Sequence, residues 1–448
     1  MSENRLVSLD VFRGLTIAGM VLVNNPGGSP VYWPLEHADW HGLTPTDWIF
    51  PFFIFIVGVS ISISLGKRVA EKVDAEAFWR IGKRAASIYL LGAAISIVPF
   101  FQFQATDAPD PIKMLIWLAF AASLFFLLLR NFKVAAALCV VALLGVAGLN
   151  LAGYNVVPYN YGTLRIFGVL QRIAVVYFIA SIIFLYTSWK QQVGISVVLL
   201  LFYWLIMTTI PVPGCEVTSI GDKACNLAAY LDRLILTENH IWRGGKVFDP
   251  EGILSTIPAI VTCISGVLTG KWLVRNDEFR MQNDEFQIEN SSFIIHHSAL
   301  NKVSGLFFFG LALLAIGLIW NSYFPMNKAL WTSSYVLATS GLALLVLGFC
   351  YWLIDIQGYK KWAWPFVVFG VNALPLFVFS GFMARMLSAY RITGPEGTPI
   401  SVGRWTMNNI FLPIFQPIDA SLAYAITFIL VWLFLMWLLY RKHLYMRV

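Results

Sequence analysis

Residues 23–53 read VNNPGGSPVYWPLEHADWHGLTPTDWIFPFF and hold two of the chain's six histidines, between two long apolar stretches. Histidine is the side chain whose charge ordinarily changes near neutral pH, so His37 is a candidate to take or carry a proton. Asp47 opens the next apolar run in TPTDWIFPFF. Two readings of it stand. With Thr44 or Thr46 it caps a helix, its charge favoured by the N-terminal dipole. Alternatively it orients a loop histidine and stabilises the protonated form. Spacing slightly favours the cap. His37 and His41 lie four apart, so they would share a face if this piece were helical. A zinc site would need further ligands, and no such pattern accompanies them.

Other polar residues stand inside apolar runs. Asp10 and Arg13 are three apart in SLDVFRGLTIAGM, on one helix face. Arg172 sits near the middle of LRIFGVLQRIAVVYF, with Arg165 nearer its outer end. An ionised group at membrane depth costs several kcal/mol unless it meets a partner or a wet cavity. One reading is an internal salt bridge, Asp10 to Arg13 or to Arg172. The other is that Arg172, with Arg13 next, lines a pocket for an anion, since a guanidinium fork matches phosphate oxygens. Asp249 and Glu251, in DPEG before a later apolar run, read either as a helix N-terminus with Pro in its first turn or as a site for an ammonium group.

The elements that position these groups are membrane helices. The chain has 448 residues, 58% hydrophobic and 12% charged. That charge fraction is about half that of a soluble protein. Apolar runs of about 20 residues recur along the chain, each able to cross a bilayer as a helix and too long for the strands of a membrane barrel. The expected fold is all-α, a polytopic helix bundle in one domain over 1–448. About twelve spans are predicted: 6–25, 47–66, 81–101, 111–130, 134–152, 163–187, 192–212, 253–274, 303–321, 330–354, 363–390 and 418–440. The first apolar run contains Asp10 and Arg13 and lacks a convincing cleavage site, so it reads as a membrane helix and not a signal peptide. Lys and Arg are about twice as frequent on one set of loops, which places both termini in the cytoplasm, N-in and C-in. Loops 26–46, 213–252 and 391–417 then face outward, and 275–301 reads as a solvated cytoplasmic linker. The net charge of +7 is scattered over loops, which argues against a nucleic-acid partner. Cys215 and Cys225, ten apart in an outward loop, could close a small ring in an oxidising compartment.

The motifs SLDVFRG, VNNPGG, HADWHGLTPTDWIFPFFIFIVG, GVLQR, VPGC, YLDRLIL, DPEGILSTI and NKALWTSSYV occur in this order. Together they resemble the heparan-α-glucosaminide N-acetyltransferase family and its bacterial homologues. The resemblance runs from Ser8 to the last span. Two departures from it are expected, an extra hairpin at 111–152 and the lack of the large N-terminal luminal domain of the eukaryotic enzymes.

The resemblance implies a bacterial inner-membrane acyltransferase that takes acetyl from cytosolic acetyl-CoA and places it on a glucosamine-type amine at the periplasmic face. It makes His37 the active histidine and adds Asn24 and Asp47 to the catalytic set. It also strengthens a Cys215–Cys225 disulfide. An amine attacking a thioester needs a base, a donor for the carbonyl oxygen and a means of holding the reactants together. Asn24 offers the amide donor. Trp33 and Trp40 could stack a sugar, or belong to the interfacial aromatic belt. Acetyl-CoA, as donor substrate, would place its phosphates on Arg172 and Arg13 and its nucleotide near Lys83 and Arg84. Nothing calls for a metal. A homodimer is left open, and so is the competing reading of an amino-sugar transporter. A transporter would more naturally put its binding groups at the midplane than in an outward loop.

Overall fold

The computed structural model describes residues 6–69, 75–284, 291–394 and 397–446. Each of the twelve apolar ranges contains α-helix. The helices are α1 (Val7–Asn24), α2 (Ile49–Val69), α3 (Ala75–Ile97), α4 (Asp110–Leu128), α5 (Phe132–Leu151), α6 (Val169–Tyr186), α7 (Trp189–Thr209), α8 (Leu227–Leu236), α9 (Thr256–Asp284), α10 (Ser291–Trp320), α11 (Ser333–Cys350), α12 (Trp364–Val371), α13 (Ala373–Ala389), α14 (Val402–Thr406) and α15 (Pro417–Arg441). Among the described residues ten helices are long and apolar enough to cross a membrane, and eleven if α12 and α13, bent by 84°, form one broken span. The helix α3 falls outside that set because Glu76, Arg80, Lys83 and Arg84 crowd its first half. The protein is a polytopic, all-α, multi-pass membrane protein.

Within 275–301, expected as a solvated linker, α9 continues to Asp284 and α10 begins at Ser291. The range has neither Gly nor Pro, in keeping with helix at both of its ends. Residues 285–290 lie outside the described part. Loop 213–252 contains α8, and loop 391–417 contains a small antiparallel hairpin, Arg391–Thr393 with Pro399–Ser401. The tight turn between α4 and α5 is made by Arg130 in the left-handed region (φ 60°) and by Asn131, whose side chain accepts from Val134 N at 3.3 Å.

The chain divides into two compact units. The first comprises 1–16, 37–90 and 165–367. Its centre is two close helix pairs, α2 with α9 and α10 with α11. Glycines make the approach possible. A Cβ at Gly58 would collide with the Cys263 carbonyl, and one at Gly266 with the Phe55 carbonyl. Gly310 and Gly341 face each other in the same way across α10 and α11. In a bilayer such contacts carry helix association, because lipid is as apolar as leucine. Ser62 Oγ adds a bond from α2 to the Val267 carbonyl at 2.5 Å. Gly58→Val is expected to cost about 1–3 kcal/mol by overpacking, read as a lower thermal midpoint of the protein in detergent, while Gly66→Val, with open space around it, leaves the midpoint unchanged.

The second unit comprises 17–36, 91–164 and 368–448. It holds the α4–α5 hairpin and α13 to α15. Lys113 is buried there, pairing with Asp110 at 2.8 Å and donating to the Phe103 carbonyl at 2.8 Å. Residues 25–36 are tied to the start of α15: Gly27 N donates to the Ser421 carbonyl at 3.3 Å, and the Tyr32 hydroxyl to Asp419 at 2.6 Å.

Candidate functional site

Residues 37–47 belong to the first unit, and the fold there is dictated by one carboxylate. Asp47 is 1% exposed and uses its two oxygens for different tasks. Oδ2 accepts from Thr44 N at 3.1 Å, Thr44 Oγ1 at 2.9 Å and Ala38 N at 3.2 Å. Oδ1 lies 2.7 Å from Nδ1 of His37. The same side chain thus makes both the capping contacts and the contact to His37. The Asp47 carbonyl accepts from the buried Tyr335 hydroxyl at 2.7 Å, which fixes the helix entry from below. An ionised carboxylate only accepts, so Nδ1 of His37 carries the proton and Nε2 presents a lone pair. The His37 side chain is 50% exposed and can meet a ligand.

His41 does not converge on His37. Its Nδ1 faces the Asn327 amide at 3.5 Å, and burial lowers its proton affinity. Trp40 is held between the chain and its neighbours: its indole N–H donates to the Ile220 carbonyl at 2.9 Å, and Phe248 packs edge-on at 5.1 Å. The loop carrying Ile220 is closed by a Cys215–Cys225 disulfide, with Cα atoms 5.8 Å apart.

A second polar group lies on the turn before α9. Asp249 and Glu251 do not cap that helix, since α9 starts only at Thr256. Both are paired with Arg165, which donates from Nε to Asp249 at 2.9 Å and from Nη2 to both acids. Burial opposes the charges, but the pairing wins. Arg165 is raised above its ordinary value by Glu251 and Asp249, and Glu251 is held below its own by Arg165 and Arg172. Asp232 accepts from Ile253 N at 2.9 Å, and burial pushes its carboxyl up to about 6. Gly252 is required here, because a Cβ would overlap the Asp232 carboxylate.

Arg172 is fully buried. Its Nη2 donates to the Gly252 carbonyl at 3.2 Å and to Ser255 Oγ, and its guanidinium lies 5.0 Å over the Trp331 ring. Among the described residues the Nε and Nη1 atoms have no hydrogen-bond partner. The charges around it are Glu251, Asp249 and Asp232. It thus holds the acidic turn, and the Asp10 pairing considered for it does not occur. Asp10 pairs with Arg13 at 3.4 Å, and Arg13 also donates to Ser60 Oγ at 3.1 Å. Lys83 and Arg84 are exposed on α3, with Arg84 resting over Tyr177 at 5.2 Å. Asn24, exposed at the end of α1, and Trp33, 65% exposed, belong to the second unit.

Sequence spacing did not point to Lys328. Its Nζ is 3.1 Å from both ring nitrogens of His37 and 3.8 Å from Asp47 Oδ1. The one signal was its place in NKALWTSSYV, a motif whose residues carried no assigned chemistry.

An all-α membrane protein with an oriented histidine in a loop between its first two helices is the class that fold and site define. Within that class the chain is similar to the heparan-α-glucosaminide N-acetyltransferases. The family model for "Heparan-alpha-glucosaminide N-acetyltransferase, catalytic" matches residues 5–153, which include Asn24, His37 and Asp47. The mouse heparan-alpha-glucosaminide N-acetyltransferase is 26% identical over 421 residues, covering 84% of this chain and 53% of its own. The human protein of that name is 27% identical over 417 residues, covering 84% and 52%. The chain thus spans about half the length of the curated relatives it matches.

Proposed function

We propose that the protein is a transmembrane N-acetyltransferase. It takes acetyl from acetyl-CoA on the cytosolic side of a bacterial inner membrane and transfers it to the amine of a glucosamine-type sugar at the periplasmic face. The observation that carries the reading is the 2.7 Å contact between His37 Nδ1 and the buried Asp47 carboxylate. It leaves Nε2 as the ring's accepting nitrogen, on a side chain half exposed to a ligand.

Two courses use that atom. In direct transfer the sugar nitrogen attacks the thioester carbon, Nε2 takes the N–H proton, and the C–S bond breaks. The proton then passes to the departing thiolate to give free CoA. In the covalent course Nε2 itself attacks, CoA leaves as its thiolate, the amine displaces imidazole from the acetyl group, and the proton the amine sheds balances the thiolate to give free CoA. In either, the Asn24 amide is the proposed donor to the carbonyl oxygen as charge develops on it.

Trp33 and Trp40 are the proposed sugar-stacking faces. Arg13, Lys83 and Arg84 are the proposed contacts for CoA phosphates and nucleotide. The three carboxylates around Arg172 weigh against it as a phosphate contact and favour a role in holding the turn at 249–255. The Arg165 pairing likewise makes a substrate ammonium a competitor for Asp249 and Glu251.

The test is thiol release by the purified chain in nanodiscs. Release from acetyl-CoA that depends on added glucosamine, with N-acetylglucosamine as product, is the expected result. Acetyl-CoA binding without release would point to a different acceptor. If neither binding nor release is seen and proteoliposomes take up glucosamine, the protein is a transporter.

A further inference from the structure

Lys328 lies on the turn between α10 and α11, and that turn is built to hold it. Asn327 accepts from Leu330 N at 2.9 Å, and its own N–H donates to Thr332 Oγ1 at 3.0 Å. Trp331 stands in the left-handed region (φ 54°), a conformation unusual for a bulky residue. Its indole N–H donates to Thr262 Oγ1 at 3.1 Å, and the rings of Phe50 and Tyr335 pack edge-on at 5.1 and 5.3 Å. A lysine on a membrane loop ordinarily extends into water. This one is only 23% exposed, and burial lowers its proton affinity.

The ammonium faces two charged clusters. From the outward loop come His37 and Asp47, and from the turn before α9 comes Glu251, with Arg165 and Asp249 behind it. Asp47 alone, at 2.7 Å from the ring, favours the imidazolium. An imidazolium can neither accept a proton nor attack a carbonyl. A second cation beside the ring opposes that charge. Equal distances of 3.1 Å to Nδ1 and Nε2 put Nζ off the lone-pair axis of either nitrogen, so it acts as a charge and leaves the Nε2 lone pair available.

We propose that Lys328 is a positioning residue of this site: its ammonium balances Asp47 at the His37 ring and keeps the imidazole uncharged and reactive. The inference rests on His37 being the reacting group of the proposed transfer.

The experiment reads His37 directly and does not need turnover. The full chain and its Lys328→Met, Lys328→Gln and Lys328→Arg variants are treated with diethyl pyrocarbonate from about pH 5 to about pH 9, where imidazole titrates. Carbethoxylation of His37 is followed by mass spectrometry. In the Met and Gln variants the pH dependence of modification is expected to move about one unit higher, so that at about pH 6 the reaction slows about tenfold against its own plateau. The Arg variant is expected to keep the wild-type dependence. The acid side of the acetyl-transfer profile moves with it. A dependence unchanged in both Met and Gln overturns the proposal, and so does an equal shift in Arg, which would mark a loss of shape and not of charge. A shift in His37 modification with no transfer by any chain would leave Lys328 in its role and overturn the acetyltransferase reading alone.

Discussion

Asp47→Asn is expected to lower acetyl transfer by about 10³–10⁴-fold, the scale set when an orienting carboxylate is lost and the histidine takes the wrong tautomer. The direction follows from the hydrogen bonds around one side chain. Three donors, Thr44 N, Thr44 Oγ1 and Ala38 N, converge on Oδ2. An asparagine keeps its carbonyl oxygen there, because only an acceptor satisfies them. Its NH₂ then faces Nδ1 of His37, 2.7 Å from the replaced oxygen. The ring responds by accepting at Nδ1 and carrying its proton on Nε2, where the lone pair is needed. Loop structure survives, so the defect falls on kcat and not on folding. The measurement is the single-turnover rate of thiol release together with the thermal midpoint. A variant with near wild-type turnover and an intact midpoint would remove Asp47 from the catalytic set and leave it a cap.

The second large effect is at His37. His37→Ala is expected to lower transfer by about 10²–10⁴-fold if the ring acts only as base, and to abolish it if the ring carries the acetyl group. Labelled acetyl-CoA without acceptor separates the two courses. Label retained on the wild-type chain and absent from the variant identifies the carrier. Stability should change little, within about 0.5 kcal/mol, because the side chain is half exposed and Lys328 remains beside Asp47. Wild-type transfer by the alanine variant would end both courses.

The amino-acid sequence by itself determined the class of fold. Apolar runs long enough to cross a bilayer leave the backbone no other way to satisfy its polar groups than a helix, and each of the twelve ranges contains α-helix. Local rules also placed Asp47 at a helix entry within reach of a loop histidine. Every contact behind those readings is short in sequence: Asp47 meets Thr44, Ala38 and His37 within ten residues.

Contacts between distant segments were decided only by the tertiary structure. Lys328 reaches His37 across 291 positions. Arg172 could have met Asp10, but it lies against Gly252 and Ser255 because the turn before α9 brings their oxygens to it. Arg165, read only as an outer-end basic residue, proves to hold Asp249 and Glu251. A charge pattern states which groups must find partners in a low-dielectric core. It does not state which partner, because that choice is made by helix packing, and the packing rests on close approaches such as Gly58 against Cys263.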